Sequence, residues 1–338
     1  MLVNGKWTEN WKALQKADDK GRFVRQVSEF RNWITPDGSP GPTGAGGFKA
    51  EPGRYRLYVA LICPWASRTL IARKLKGLED IIPVTVVNPQ MTSQGWAFGG
   101  YDGADPDPLF ASQYMHEIYT RANPTYTGRA TVPVLWDMKQ NVLVNNESAD
   151  ILRMLDTAFE EIVPSDIRLY PEEFASEIDE LNPRIYNDLN NGVYKAGFTK
   201  SQSSYEEAVN EVFAMLDELE ERLEGQQFLV GNRLTETDIR TFVTLIRFDA
   251  AYHGLFKTNR KQIADYPNLS SYMERILNLP GVVDTVNIDH ITAGYYSIKE
   301  LNPAGIRPTG PAYIDALIAS ARKANSEKVN SEKVNSGN

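Results

Sequence analysis

Tyr55-Arg56-Leu57-Tyr58-Val59-Ala60-Leu61-Ile62-Cys63-Pro64-Trp65-Ala66-Ser67-Arg68 is the stretch from which the rest of the chain can be read. Tyr55, Leu57, Val59 and Leu61 alternate with their neighbours, the period of a β-strand. From Pro64 the period changes. Ile71, Leu75 and Leu78 recur at i, i+4 and i+7, which predicts a helix from Pro64 to about Leu78, with Gly77 weakening its end. Pro64 suits the first helical position, where the N–H it lacks would find no intrahelical partner. Cys63 is thereby set at the junction of a strand and a helix N-terminus. Free N–H groups and the helix macrodipole favour a thiolate there, and the thiolate is the nucleophile. The alternative is a buried cysteine that behaves as a small, inert hydrophobe.

Working outward, Val84 to Val87 is a second short strand. Residues 89–128 form a long insertion that carries Trp96 and a possible helix from about Leu109 to Thr120. Val132 to Trp136 and Asn141 to Val144 suggest a hairpin around Met138-Lys139-Gln140, and a helix opens near Ser148. Strand, helix, strand, insertion, hairpin, helix is the order of an α/β thioredoxin-like domain, placed at 54–160. Before it, 1–53 reads as an N-terminal arm ending in a Pro- and Gly-rich loop at 36–53. After it the period is helical: Tyr205, Val209, Val212, Leu216, Leu219 and Leu223 step by 4, 3, 4, 3, 4. Thr235 and Asp238 have the spacing of a capping-box variant before the apolar run Ile239, Phe242, Val243, Ile246. Residues 267–280 suggest another helix, with Pro267 near its start. The region 161–325 is therefore expected to be all helical, and the twice-repeated Ser-Glu-Lys-Val-Asn of 326–338 a disordered tail.

The 338 residues suffice for two domains, and a net charge of −8 with no long basic run argues against nucleic acid or an acidic membrane surface as partner. No apolar stretch is long enough to span a bilayer, and the N-terminus has no apolar signal core, so a cytoplasmic protein is expected. Cys63 is the one cysteine of the chain. No internal disulfide or Cys-x-x-Cys pair is possible, so a redox partner thiol must come from another molecule. His116, His253 and His290 show no metal-ligand spacing, and no metal is expected.

Two further places carry chemistry once the domain is in view. Val132-Pro133 precedes a strand. A cis proline there would present backbone groups to a bound γ-glutamyl-cysteinyl thiol, although a lone X-Pro bond is usually trans. Glu147-Ser148 opens a helix: Ser148 and the helix N–H groups can hold a carboxylate and Glu147 an ammonium, as the γ-glutamyl end of glutathione requires. Plain helix capping by Ser148 is the other reading.

From about Gly5 to Gly310 the chain resembles the glutathionyl-hydroquinone reductases, the Xi-class glutathione transferases. The resemblance rests on Phe30-Arg31-Asn32-Trp33, Cys63-Pro64-Trp65-Ala66, Gly95-Trp96, Gly128-Arg129-Ala130-Thr131-Val132-Pro133-Val134-Leu135-Trp136-Asp137, Asn146-Glu147-Ser148, Asn190-Asn191-Gly192-Val193-Tyr194-Lys195-Ala196-Gly197, Arg247-Phe248-Asp249, Asp289-His290 and Tyr295. It implies a glutathione transferase fold, thioredoxin-like and then all-α. It also implies a homodimer and glutathione as co-substrate with no bound cofactor. The implied reaction removes glutathione from an aromatic thioether, a glutathionyl-hydroquinone. Cys63 would attack the substrate sulfur, and a second glutathione would release the mixed disulfide. Tyr194 matches the family's acid–base tyrosine, and Tyr252 and Tyr295 two more that face the thiol. Trp96, Arg129, Ala130, Thr131, Val132, Glu147 and Ser148 match its glutathione contacts. The family commonly reads Cys-Pro-Trp-Ala-His-Arg, whereas this chain has Ser67 before Arg68. An omega-like thioltransferase or dehydroascorbate reductase would also use one cysteine, and a non-catalytic assembly module of this fold would leave Cys63 unreactive.

Overall fold

The computed structural model describes residues 1–9 and 27–336, so 10–26 of the expected arm lie outside the described residues. β1 (Leu2–Val3) and β2 (Lys6–Trp7) form a small hairpin. Asn4 and Gly5 both have positive φ, as a tight Asn-Gly turn requires. The Leu2 N–H donates to the carbonyl of Gly128 at 2.9 Å, which ties the arm to the end of the insertion.

The quoted stretch folds as its periods demand, each element starting where expected and ending a little earlier. β3 is Tyr55–Val59 and α1 is Pro64–Leu75. The strand stops because the chain turns on itself, the Cys63 N–H donating to the carbonyl of Ala60 at 3.0 Å. The helix stops before Gly77, whose φ of 66° is left-handed. β4 (Val84–Val86) follows, then α2 (Met115–Ala122) within the insertion, β5 (Val134–Asp137), β6 (Val142–Asn145) and α3 (Ser148–Thr157). The four-stranded sheet has the order β4-β3-β5-β6. β3 and β4 run parallel, with Leu57 opposite Val84, and β5 is antiparallel to both β3 and β6, with Tyr58 opposite Val134. Both faces are covered, so Tyr55, Leu57, Tyr58 and Val59 are all buried, together with Trp136.

The helix expected from Leu109 starts later. Asp107 accepts from the N–H groups of Leu109 and Ser112 (3.2 and 3.1 Å), and Ala111 is left-handed at φ 51°, so this piece is a side-chain-held turn. α2 begins only where Glu117 can reach back to the Tyr114 N–H at 2.9 Å.

The second half is helical: α4 (Ala175–Arg184), α5 (Gly192–Phe198), α6 (Gln202–Arg222), α7 (Glu236–Arg247), α8 (His253–Leu255), α9 (Pro267–Leu277), α10 (Ile288–Tyr296) and α11 (Ala312–Ser336). The capping box forms, Asp238 accepting from the Thr235 N–H at 2.7 Å. Two stretches of wider π-type turns, Ile185–Asn190 before α5 and Phe248–Tyr252 after α7, have no counterpart in the sequence reading. The expected disordered tail is corrected as well, since α11 continues through Ser336. The Glu and Lys of the repeat extend a helix already nucleated upstream, where each added residue gains a hydrogen bond without a new nucleation cost.

Candidate active site

Cys63 is the N-cap residue of α1, in an extended conformation, with Pro64 at the first helical position. It is half-buried, and its Sγ lies 3.6 Å from the carbonyl of Val132. The Val132–Pro133 peptide is cis. The loop before β5 therefore lies against the thiol.

Beside it is a cavity of about 260 Å³. Of the residues matched to the family's glutathione contacts, Arg129, Thr131, Val132, Glu147 and Ser148 line it, whereas Ala130 and Trp96 do not. Trp96 packs half-buried against the core, and its carbonyl accepts from the N–H of Met115 at the start of α2. The cap of α3 is Glu147, whose Oε1 accepts from the Ala149 N–H at 3.3 Å, so Ser148 does not perform the plain capping considered above. The Ser148 hydroxyl is buried and has no protein partner. Asn146 Oδ1, Arg68 Nε and Arg240 Nε stand buried and unpartnered around the same cavity. Buried polar groups are normally satisfied, so four orphans on one cavity mark a polar ligand's place.

Sequence reasoning missed Ser28, Trp65, Arg68, Asn146, Tyr186 and Arg240, which also line this cavity. Trp65 and Arg68 were within the quoted motif, on the first turns of α1. Arg240 had a fainter signal: it and Arg247 are seven residues apart in one helix, hence on one face. Burial, then the charge of Arg240, lowers Arg68 to about 9, so it remains a cation at neutral pH. Its Nη2 is held by Asn190 at 2.6 Å.

On the other side of Cys63 the helical half supplies an aromatic wall. Tyr194 (α5), Tyr252 (the π turns after α7) and Tyr295 (α10) converge, although the sequence spreads them over a hundred residues. Tyr295 Oη lies 2.5 Å from Tyr194 Oη and 2.7 Å from Tyr252 Oη. The three hydroxyls form one hydrogen-bonded cluster, in which Tyr194 and Tyr252 also interact directly. Trp65 packs against Tyr194 with ring centroids 5.2 Å apart, which joins this wall to the cavity. Phe256 closes the back, 5.1 Å from Tyr252 and 5.3 Å from Tyr194. Burial, followed by the charges of Tyr252 and Cys63, pushes Tyr194 well above the ordinary tyrosine value. Burial does the same to Tyr295, and raises Tyr252. All three are phenols, not phenolates, at neutral pH.

The π turns and Gly294 place these rings. A π turn shifts the phase of a helix and is frequent at functional sites. Gly294 lets α10 close on the Cys63 loop: a Cβ there would lie 2.3 Å from Ile62 Cδ1 and 2.5 Å from the Pro89 carbonyl oxygen.

The sequence and the fold match known proteins over most of the chain. Residues 62–158 match the glutathione S-transferase N-terminal domain and residues 202–275 the glutathione S-transferase C-terminal domain. The chain is 50% identical over 312 residues to glutathionyl-hydroquinone reductase YqjG of Escherichia coli K12, covering 92% of this chain and 94% of that one. It is 47% identical over 315 residues to glutathionyl-hydroquinone reductase PcpF of Sphingobium chlorophenolicum, covering 92% and 96%. This chain belongs to the Xi-class glutathione transferases, the glutathionyl-hydroquinone reductase family. Among solved Xi-class relatives, the glutathione-bound structure of YqjG superposes with a TM-score of 0.85 at 48% identity, covering 92% of this chain and 95% of that one. The Xi transferase of Phanerochaete chrysosporium gives 0.83 at 48%, covering 86% and 98%. Among the described residues of this Xi-class chain, no three His, Cys, Asp or Glu side chains gather as a metal site, and no helix is long and apolar enough to cross a membrane. A larger cavity of about 390 Å³ lies beside Phe98, Asp107 and Tyr114 in the insertion. Asp107 is already engaged there by Tyr58 and two N–H groups, which leaves no orphan to mark a ligand.

Proposed function

We propose that the protein is a glutathionyl-hydroquinone reductase that uses glutathione as co-substrate, and that Cys63 is its nucleophile. The observation that carries this reading is the placement of one thiol between two unlike surfaces: an anion-accepting cavity with orphaned polar atoms, and a hydrogen-bonded trio of neutral tyrosines. Glutathione suits the cavity. Ser148 Oγ and the first N–H groups of α3 can take its γ-glutamyl carboxylate, with Arg68 and Arg240 behind them, and Glu147 can take the ammonium. The Val132 backbone beside the cis peptide meets the cysteinyl part.

In the first half-reaction the Cys63 thiolate attacks the sulfur of the aryl thioether. The Cys63–glutathione S–S bond forms and the aryl C–S bond breaks, with its electron pair moving to the ring carbon. A free aryl carbanion is too costly, so that carbon gains a proton as the bond breaks or passes through a keto tautomer. Tyr194, on the aromatic side of the thiol, donates the proton, and Tyr295 and Tyr252 support it through their hydrogen bonds. In the second half-reaction the thiolate of a second glutathione attacks the mixed disulfide, and oxidised glutathione leaves. The ring is reduced by two electrons and two glutathione sulfurs are oxidised to one disulfide. With Cys63 as the chain's single cysteine, the resolving thiol must be external. A cytoplasmic setting and a homodimer suit this reading. An omega-like thioltransferase would not need the tyrosine trio, and a non-catalytic module would not need the orphaned cavity atoms.

The test is incubation with a glutathionyl-hydroquinone and glutathione, following hydroquinone and oxidised glutathione. Equal yields of both, abolished in Cys63→Ser, are expected. Hydroquinone formation that survives in Cys63→Ser would refute the reading.

A further inference from the structure

Arg247 is the buried cation to which the reading above gives no role. Its side chain leaves the C-terminal end of α7 and crosses to the strand–helix corner of the other domain. Nε donates to the Ile62 carbonyl at 2.8 Å, and Nη2 to the Leu61 carbonyl at 2.9 Å and to Ser67 Oγ at 2.6 Å. Nη1 donates to the carbonyl of Val243 in its own helix at 2.7 Å. These acceptors bracket Cys63: two carbonyls immediately before it and a hydroxyl one turn after. The N–H of Ser67 in turn donates to the Cys63 carbonyl at 3.0 Å.

The side chain is buried, and every one of these acceptors is neutral. Among the described residues no carboxylate forms an ion pair with it. Of the other buried arginines, Arg54 pairs with Asp137 and Arg240 with Glu236, while Arg68 faces the polar cavity and is held by Asn190. A buried charge that is hydrogen-bonded but not ion-paired is costly, and an uncharged donor could hold carbonyls without that cost. The carbonyl end of α7 offsets part of that charge, and an anion formed at the corner these hydrogen bonds bracket, the Cys63 thiolate, would offset more of it. We propose that Arg247 is a positioning residue for Cys63 and the counter-charge of its thiolate, delivered to the thioredoxin-like domain by the helical domain.

The inference rests on the reading of Cys63 as the nucleophile. The other titratable or charged groups around this corner are Tyr194 from α5, Tyr252 from the π turns after α7 and Tyr295 from α10, all neutral phenols. Arg68 on α1 points to the cavity and Asn190, and Arg129 and Glu147 line the cavity wall with Val132. The charge of Arg247 favours ionisation of Tyr252 and Tyr295, and that of Cys63 opposes it at Tyr252, so both fields act on the same small space. Because this guanidinium reaches Cys63's corner from the helical domain, thiol activation depends on the two domains being docked.

The experiment is the pH dependence of Cys63 alkylation by iodoacetamide in the full chain, for wild type, Arg247→Met and Arg247→Lys, beside glutathionyl-hydroquinone turnover. Wild type should show a midpoint well below the free-cysteine value of about 8.5. Arg247→Met should raise it by about one to two units, slowing alkylation at neutral pH roughly ten-fold or more. Arg247→Lys, which keeps the charge and loses the fork, should stay within about half a unit of wild type while turnover falls. An Arg247→Met midpoint equal to wild type would overturn the proposal. Should that variant fail to fold by circular dichroism, Arg247→Lys decides: a midpoint near the free-cysteine value would show that geometry, not charge, matters. A wild-type thiol with a free-cysteine midpoint and no turnover would instead sink the nucleophile reading itself.

Discussion

Cys63, Tyr194 and Ser148 each hold a position whose chemistry differs from that of the residue type at large. Tyr194 is held above the ordinary tyrosine value by burial and by the charges of Tyr252 and Cys63. It therefore keeps its proton past pH of about 10 and is available as an acid across the working range. Tyr194→Phe should lower turnover of a glutathionyl-hydroquinone by roughly 10²–10⁴-fold, the usual range for a lost general acid. Reduction of a simple disulfide through Cys63 should change little, because a thiolate leaving group needs no proton on carbon. Equal losses in both reactions would leave Tyr194 only shaping the site. The same shifts bear on stability. A tyrosine with a raised folded-state value contributes stability that is fully present below about pH 10 and is lost as pH rises through the folded value. Alkaline titration followed by near-ultraviolet absorbance should show a group of tyrosines ionising only together with loss of circular dichroism; independent ionisation of all of them near pH 10 would contradict the buried trio. Ser148 makes the opposite case, a buried hydroxyl without a partner in the protein. Ser148→Ala removes no internal hydrogen bond, so Tm should hold or rise. KM for glutathione should increase by roughly 10–100-fold, the loss of a hydrogen bond to a charged group. A lower Tm with KM unchanged would mean that the hydroxyl serves the fold.

At the scale of elements, β3 and α1 were legible because their periods, 2 and 3.6, are local and unmixed. The capping box of α7 was legible for the same reason, since its two partners are three residues apart. The insertion was harder. Leu109 to Thr120 has helical spacing, yet Asp107 binds two N–H groups and turns the chain first. The tail was misread because composition was weighed without the helix that precedes it. The π turns were invisible because they alter phase by one residue without altering which residues are apolar, and they are what bring Tyr252 and, through α5, Tyr194 into line. The approach of α10 to the thiol depends on Gly294. Gly294→Ala would press a Cβ onto the backbone oxygen of Pro89 and the end of Ile62. The backbone contact cannot be relieved by a rotamer change, so the expected cost is about 1–3 kcal/mol, as for other overpacked sites. Because Tyr295 is the next residue, the displacement should also break the trio. Tm and glutathionyl-hydroquinone turnover should fall together in this variant. Unchanged values of both would mean that α10 does not need this close approach.

For the molecule as a whole, the sequence made the α/β half and the helical half visible, and a part of the cavity wall: Arg129, Thr131, Val132, Glu147 and Ser148. It could not show what crosses between the halves. Tyr186, Arg240 and Arg247 reach the site from helices far along the chain, and nothing local in their neighbourhoods points at Cys63. The tyrosine assignments came through family resemblance, and their mutual distances exist only in the fold. The proposal that one thiol works between a polar cavity for glutathione and an aromatic wall that donates a proton predicts that the substrate's sulfur, not its ring, is the atom attacked. The most direct test is a single turnover with a glutathionyl-hydroquinone and no free glutathione, read by intact and peptide mass. The account predicts one equivalent of hydroquinone released per active site and one glutathionyl group on Cys63. A Cys63 that carries the aryl group, or hydroquinone released with no adduct on Cys63, would contradict it.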